Sequence, residues 1–104
     1  MKERERVETE FHHRMMQVYE QAKDECEYDA HRFRNLVLSE GGVMAAKKLL
    51  SSNRYSEGLT RLWEEGRLDI SMEAAVLEPE WSSLFSDDEL ETARKRLSEL
   101  GYKS

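Results

Sequence analysis

Val7, Phe11, Met15, Val18, Ala22 and Cys26 recur at steps of four and three along the first quarter of the chain. In a helix of 3.6 residues per turn that rhythm draws one stripe down one face, whereas in a strand it would scatter the same residues over both. Glu, Arg, Lys and Gln fill the other faces, so the spacing predicts a long amphipathic helix from residue 3 to about residue 26. Such a helix must lay its stripe on its own domain or on a second copy. It spans only about three heptads, and Phe and Met stand where a coiled coil prefers Leu and Ile. Packing on its own domain is therefore the expectation, with self-association through Phe11 and Met15 as the alternative.

The rest of the chain repeats one local device. An apolar residue precedes a capping Asp or Ser at Tyr28-Asp29, Tyr55-Ser56, Ile70-Ser71 and Phe85-Ser86. These pairs predict helices running to Glu40, to Glu65, to Leu77 and to the end of the chain, with Tyr28 stapling to Phe33 and Phe85 to Leu90. Ser86 and Glu89 stand at the spacing of a capping box. Gly41, Gly66 and Gly101 each follow a helical pattern, where a positive φ closes the last turn. Gly42 opens a further helix to about Leu50, and the single proline, Pro79, ends the fifth. The reading is all-α: one domain over residues 1–104, with a long helix at 1–27 and a helical core module at 28–104. Within "LTRLWEEGRLDIS", residues 59–71, Leu59, Leu62 and Trp63 are expected to face the core. Arg67 and Asp69 are expected to alternate outward along an extended crossing.

Five glycines and one proline in 104 residues supply too few turns for an all-β chain. The net charge of −6 is unevenly spread: residues 29–67 carry seven basic against five acidic groups, while both flanks are acidic. An acidic whole disfavours nucleic acid or anionic lipid as a partner by bulk attraction, leaving only a local basic face. The lone Cys26 cannot form an internal disulfide, the first residues read Lys-Glu-Arg-Glu-Arg with no apolar run behind them, and no membrane-length apolar stretch occurs. Cytoplasmic localisation without membrane association is the expectation.

Four stretches are similar to a widespread bacterial family of uncharacterised helical proteins. They are "EGG" (40–42) with "AAKKLL" (45–50), "GLTRLWEEGRLDISMEA" (58–74), "LFSDDELETARKRL" (84–97) and a closing "GY" (101–102). The resemblance covers residues 28 to 102, is best across 58–74 and fades in the charged first helix. Members look like small standalone chains or terminal modules of longer proteins, some beside nuclease-type domains from mobile or defence-like genes. No activity carries over. The resemblance implies a recurring helical unit used beside other activities.

Candidate chemistry is sparse. His12 and His13 are adjacent, so on a helix their rings point about 100° apart. Glu10 and His13 make one Glu-x-x-His where a di-metal bundle needs two, and His31 lies on another helix, so no metal or cofactor is expected. Cys26 stands between Glu25 and Glu27, which disfavour its thiolate. There is no Gly-x-Ser-x-Gly, Ser-x-x-Lys or phosphate loop, and Gly41-Gly42 reads as a tight corner between helices. The sequence thus points to a non-catalytic interaction or accessory module, not an enzyme, with a protein partner or a second copy to bind. Its candidate surface is Phe11, Met15, Arg54, Arg61, Arg67 and Trp81, the last favoured as a core plug over an exposed anchor. The alternative is a nucleic-acid accessory domain built on a helix-turn-helix-like segment at 42–66, opposed by Glu57, Glu64 and Glu65 on its second helix.

Overall fold

The computed structural model describes residues 2–52 and 56–102. Six α-helices follow one another: α1 (Lys2–Cys26), α2 (His31–Glu40), α3 (Gly42–Ser51), α4 (Glu57–Glu64), α5 (Met72–Val76) and α6 (Asp87–Glu99). Short 3-10 segments at Leu68–Ile70 and Pro79–Leu84 precede α5 and α6 respectively, and no strand occurs among the described residues. None of these helices is long and apolar enough to cross a membrane.

The first stripe makes α1 the spine of the molecule. At about 1.5 Å per residue, its 25 residues run almost the whole 40 Å length of the fold. Phe11 and Met15 are completely buried, and Val18, Ala22 and Cys26 nearly so, against α2, α3 and α5. Phe11 sits edge-on to both Trp81 and Phe85, at ring-centroid distances of 5.5 and 5.2 Å. The stripe is therefore consumed inside its own domain. Phe11, Met15 and Trp81 belong to the core and leave the list of surface candidates, because burying these large side chains gains more than exposing them.

Local signals set most boundaries. Ser56, Ser71 and Ser86 each accept a hydrogen bond from the N–H three residues on, and Ser86 with Glu89 forms the reciprocal capping box. Gly41, Gly66 and Gly101 take φ of 88°, 72° and 87°.

Other expectations gave way to tertiary packing. Asp29 does not cap α2: its carboxylate accepts from the Tyr19 hydroxyl at 2.9 Å, and Ala30 stands at the cap without a side-chain bond. Tyr28 packs with the Ala22, Cys26, Leu62 and Ile70 cluster, whereas Phe33 joins the main core. Trp63 is half exposed rather than buried, since the space inside is taken by Leu59 and Leu62. The crossing after Gly66 is not extended but coils into a 3-10 turn, which buries Leu68 and Ile70 together. At the end of α1, where no glycine was available, Glu27 takes the left-handed φ of 53°.

Two close approaches fix the remaining helices. The Gly42 N–H donates to His12 Nδ1 at 3.0 Å, so a side chain of α1 caps α3. A Cβ on Gly42 would come within 2.6 Å of the His12 Cα, so only glycine lets α1 and α3 meet there. On the far side, Arg96 of α6 is buried. Its guanidinium donates to Glu73 of α5 at 3.1 Å and to the carbonyls of Leu50 and Ser52 at 3.3 and 2.7 Å. One arginine thus closes the carboxyl end of α3 and ties it to α5 and α6.

Candidate functional site

Beside a shallow polar hollow of about 490 Å³ along Arg14–Glu25 of α1, the helices leave a more enclosed, apolar concavity of about 350 Å³. Its walls come from α1 (Val18, Ala22), α2 (Phe33, Leu36), α4 (Gly58, Leu59, Leu62) and Met72, with Leu49 of α3 opposite. These are apolar faces that the short helices turn toward α1 without filling the space between. Volume and lining fall in the range of ligand clefts, in which an apolar body is held by walls and oriented by a few polar groups.

The polar groups are few and placed. Tyr19 and Tyr28 stand in the wall, Ser71 and Glu73 at the base, and Arg32, Ser56 and Glu57 complete the lining. Ser71 is fully used, donating to the Leu68 carbonyl and accepting from the Ala74 N–H. Burial pushes the Glu73 carboxyl above its usual range against the pull of its own backbone N–H and of Arg96. Burial, and then Glu57, raise the Tyr28 hydroxyl, while Arg61 and Arg32 oppose them. Every buried side-chain nitrogen and oxygen among the described residues has a hydrogen-bond partner, so the cleft is the fold's open feature rather than a packing fault at a polar group.

The groups singled out in the sequence do not converge here. Arg54 lies outside the described residues. Arg61 pairs with Glu65 at 3.3 Å and lays its guanidinium 5.1 Å from the Tyr28 ring centroid, at the cleft's edge. Arg67 is held between Glu25 at 2.7 Å and Asp69 at 3.0 Å, which raises its own pKa and lowers that of Asp69. Lys47 pairs with Glu89 and Lys48 with Glu40, at 2.8 and 3.3 Å. Carboxylates of the same chain thus neutralise much of the basic middle third. Nor do α3 and α4 make the close pair of a helix-turn-helix: α3 packs on α1, α2 and α6, α4 packs on the Leu68–Ile70 turn, and the cleft opens between them.

His12 and Cys26 have structural roles. His12 spends its Nδ1 on Gly42, and the His12 and His13 rings lie 6.1 Å apart. Among the described residues no group of three or more His, Cys, Asp and Glu side chains is placed to hold a metal ion. Burial, with Glu65, pushes the Cys26 thiol up, away from the reactive thiolate. Sequence reasoning missed the cleft, which five separated segments build together, and the Glu73–Arg96 pair beneath it. The signal for the pair was present. Arg96 stands three residues after Ala93 on the inward face of α6, and Glu73 interrupts the apolar run "ISMEAAV". No protein family, curated protein or solved structure matches the chain.

Proposed function

We propose that the chain is a non-catalytic binding module, accessory to another activity, and that its contact site is the cleft between α1, α2 and α4. The observation that carries this reading is the apolar concavity of about 350 Å³ in a fold whose buried polar side chains are otherwise satisfied. An engineered apolar cavity of about 150 Å³ is enough to take up benzene, so a cleft of this size accommodates a large side chain or a small ligand. The family resemblance across residues 28–102 supports an accessory role in the bacterial cytoplasm. Self-association, where the module uses it, falls to the exposed Leu38, Met44 and Trp63 rather than to the buried Phe11 and Met15.

The test is amide chemical-shift mapping with toluene as an uncharged apolar probe. Shifts confined to residues such as Ala22, Leu36 and Gly58, and lost when Gly58→Leu fills the cleft, support the reading. Shifts scattered over the surface, or none, overturn it. An uptake unchanged in the filled variant overturns it as well.

A further inference from the structure

The mouth of the cleft carries a guanidinium and a carboxylate without a partner among the described residues. Arg32 on α2 and Glu57 in the first turn of α4 both line it, both are exposed, and neither makes a hydrogen bond or ion pair with a described residue. Their neighbours are occupied: Arg61 with Glu65, Arg34 with Asn35 and the Tyr19 ring, and Asp29 with the Tyr19 hydroxyl. The Tyr28 hydroxyl lines the same cleft and also lacks a hydrogen-bond partner among the described residues. Both charges lie close enough to act on it, in opposite directions.

Gly58 gives a second, independent pointer. Gly58 is the second residue of α4, and glycine in a helix costs up to about 1 kcal/mol relative to alanine, less in the first turn than in the interior. Elsewhere in this chain a positive φ or a helix contact demands it, but Gly58 has neither. A Cβ there would meet only the Tyr28 ring at 3.8 Å, and its hydroxyl and Ser56 Oγ at 3.9 Å, which is ordinary contact. What the missing side chain does is leave the wall open beside the Tyr28 hydroxyl, where the apolar cleft meets the two charges.

We propose that the cleft binds a small zwitterion with an apolar tail, the chemistry of a free α-amino acid with a large aliphatic or aromatic side chain. The tail fills the space bounded by Val18, Ala22, Leu36 and Leu62, the carboxylate faces Arg32, and the ammonium faces Glu57. The Tyr28 hydroxyl bonds the head group between them. Opposite charges on the two rims favour a ligand that carries both charges over one that carries only one, because each rim charge then gains a charge-assisted partner. This inference rests on the binding-module reading and adds the ligand class to it.

The experiment is an amide-shift titration of the full chain with L-phenylalanine, 3-phenylpropanoate, 2-phenylethylamine, N-acetyl-phenylalaninamide and toluene. Phenylalanine is expected to saturate shifts at Tyr28, Arg32 and Gly58, with the singly charged analogues about tenfold weaker. Arg32→Gln and Glu57→Gln each weaken phenylalanine several-fold and leave toluene unchanged; both residues are exposed, so their variants fold. Equal binding of 3-phenylpropanoate or 2-phenylethylamine overturns the zwitterion proposal. So does tighter binding of the capped amide, which would make the occupant a peptide. Absence of phenylalanine binding at about 10 mM, a concentration that detects even millimolar affinity, overturns it too. In each case toluene uptake shows whether the cleft reading survives, whereas loss of toluene binding as well removes both.

Discussion

Replacing Arg96 by Met keeps most of the side chain's length and removes its charge and donors. Glu73 is then left almost fully buried with no counter-ion, and removal of one member of a buried pair costs about 3–5 kcal/mol. The Leu50 carbonyl loses a donor in a buried setting, which adds on the order of 1 kcal/mol, while the Ser52 bond is only partly buried and water replaces it. Part of the Glu73 cost is escaped by protonation, because burial already pushes that carboxyl upward. A net loss of about 4 kcal/mol is expected, a large share of the roughly 5–15 kcal/mol that a domain has. For a domain of this size that lowers Tm by about 15–20 °C.

Glu73→Gln should also destabilise, since it leaves the buried Arg96 without a counter-ion, but by less than Arg96→Met, because the glutamine oxygen and the Leu50 and Ser52 carbonyls still accept from the guanidinium. The double variant, with no buried charge left, should melt above Arg96→Met alone. The pH sign follows from the same pair. A carboxyl whose pKa is raised on folding contributes stability below its ordinary value and loses it as pH rises through the folded one. Arg96→Met raises the Glu73 carboxyl further, so that variant should gain more in Tm than the parent as pH falls from neutral toward the ordinary carboxylate range. Thermal melts followed by far-ultraviolet circular dichroism decide it. Arg96→Met within about 1 kcal/mol of the parent, or a double variant no better than the single, would refute the account of Arg96 as a buried clamp.

Gly42→Ala should destabilise by about 1–3 kcal/mol in denaturant titrations despite alanine's better helix propensity, because the Cβ would lie 2.6 Å from the His12 Cα and push α1 off α3. Glu27→Gly should stabilise by up to about 1 kcal/mol, since glycine takes the φ of 53° without strain; a neutral or negative change would mean that the Glu27 side chain contributes something the backbone argument leaves out. Glu78 accepts from Arg14 at 3.0 and 2.8 Å and from the Trp81 indole at 2.9 Å, and Arg14 first among these holds its carboxyl low. That stability is present above the ordinary carboxylate range and lost as pH falls through the depressed value. Glu78→Gln should therefore melt below the parent at neutral pH, and the gap should shrink on acidification; a gap independent of pH refutes the pairing. Fluorescence anisotropy with labelled DNA and RNA at about 50 mM salt should show no saturable binding up to about 100 μM protein, and binding that collapses at about 200 mM would restore a nucleic-acid role.

What the sequence made legible was whatever a few neighbouring residues decide. The Ser56, Ser71 and Ser86 caps and the glycine stops hold because each depends on one turn of backbone, and the first stripe holds because twenty residues agree on it. Where a side chain had both a local and a tertiary use, the tertiary one won. Asp29 serves Tyr19 instead of its own helix, and Ala30 ends up at the cap of α2 without a side-chain bond. The same competition explains the charged residues. Arg61, Arg67 and Lys47 looked like a basic face because pattern alone cannot show that Glu65, Glu25, Asp69 and Glu89 come to meet them.

The cleft is the limiting case. None of its walls is unusual as a stretch of sequence, and it exists only because helices too short to cover α1 lean on it from two sides. Its one trace in the linear chain is a glycine in the first turn of α4 that neither a positive φ nor a close helix contact requires. In a short chain with marginal stability, a residue that gives up helix propensity without a structural return marks a place where the cost is offset by something outside the fold. Gly58→Ala separates the two explanations. If it raises Tm by the helix-propensity gain and weakens toluene or phenylalanine uptake, the glycine is there for the ligand. If it raises Tm and leaves uptake intact, the open wall beside Tyr28 has no binding role, and the glycine is not there for the ligand.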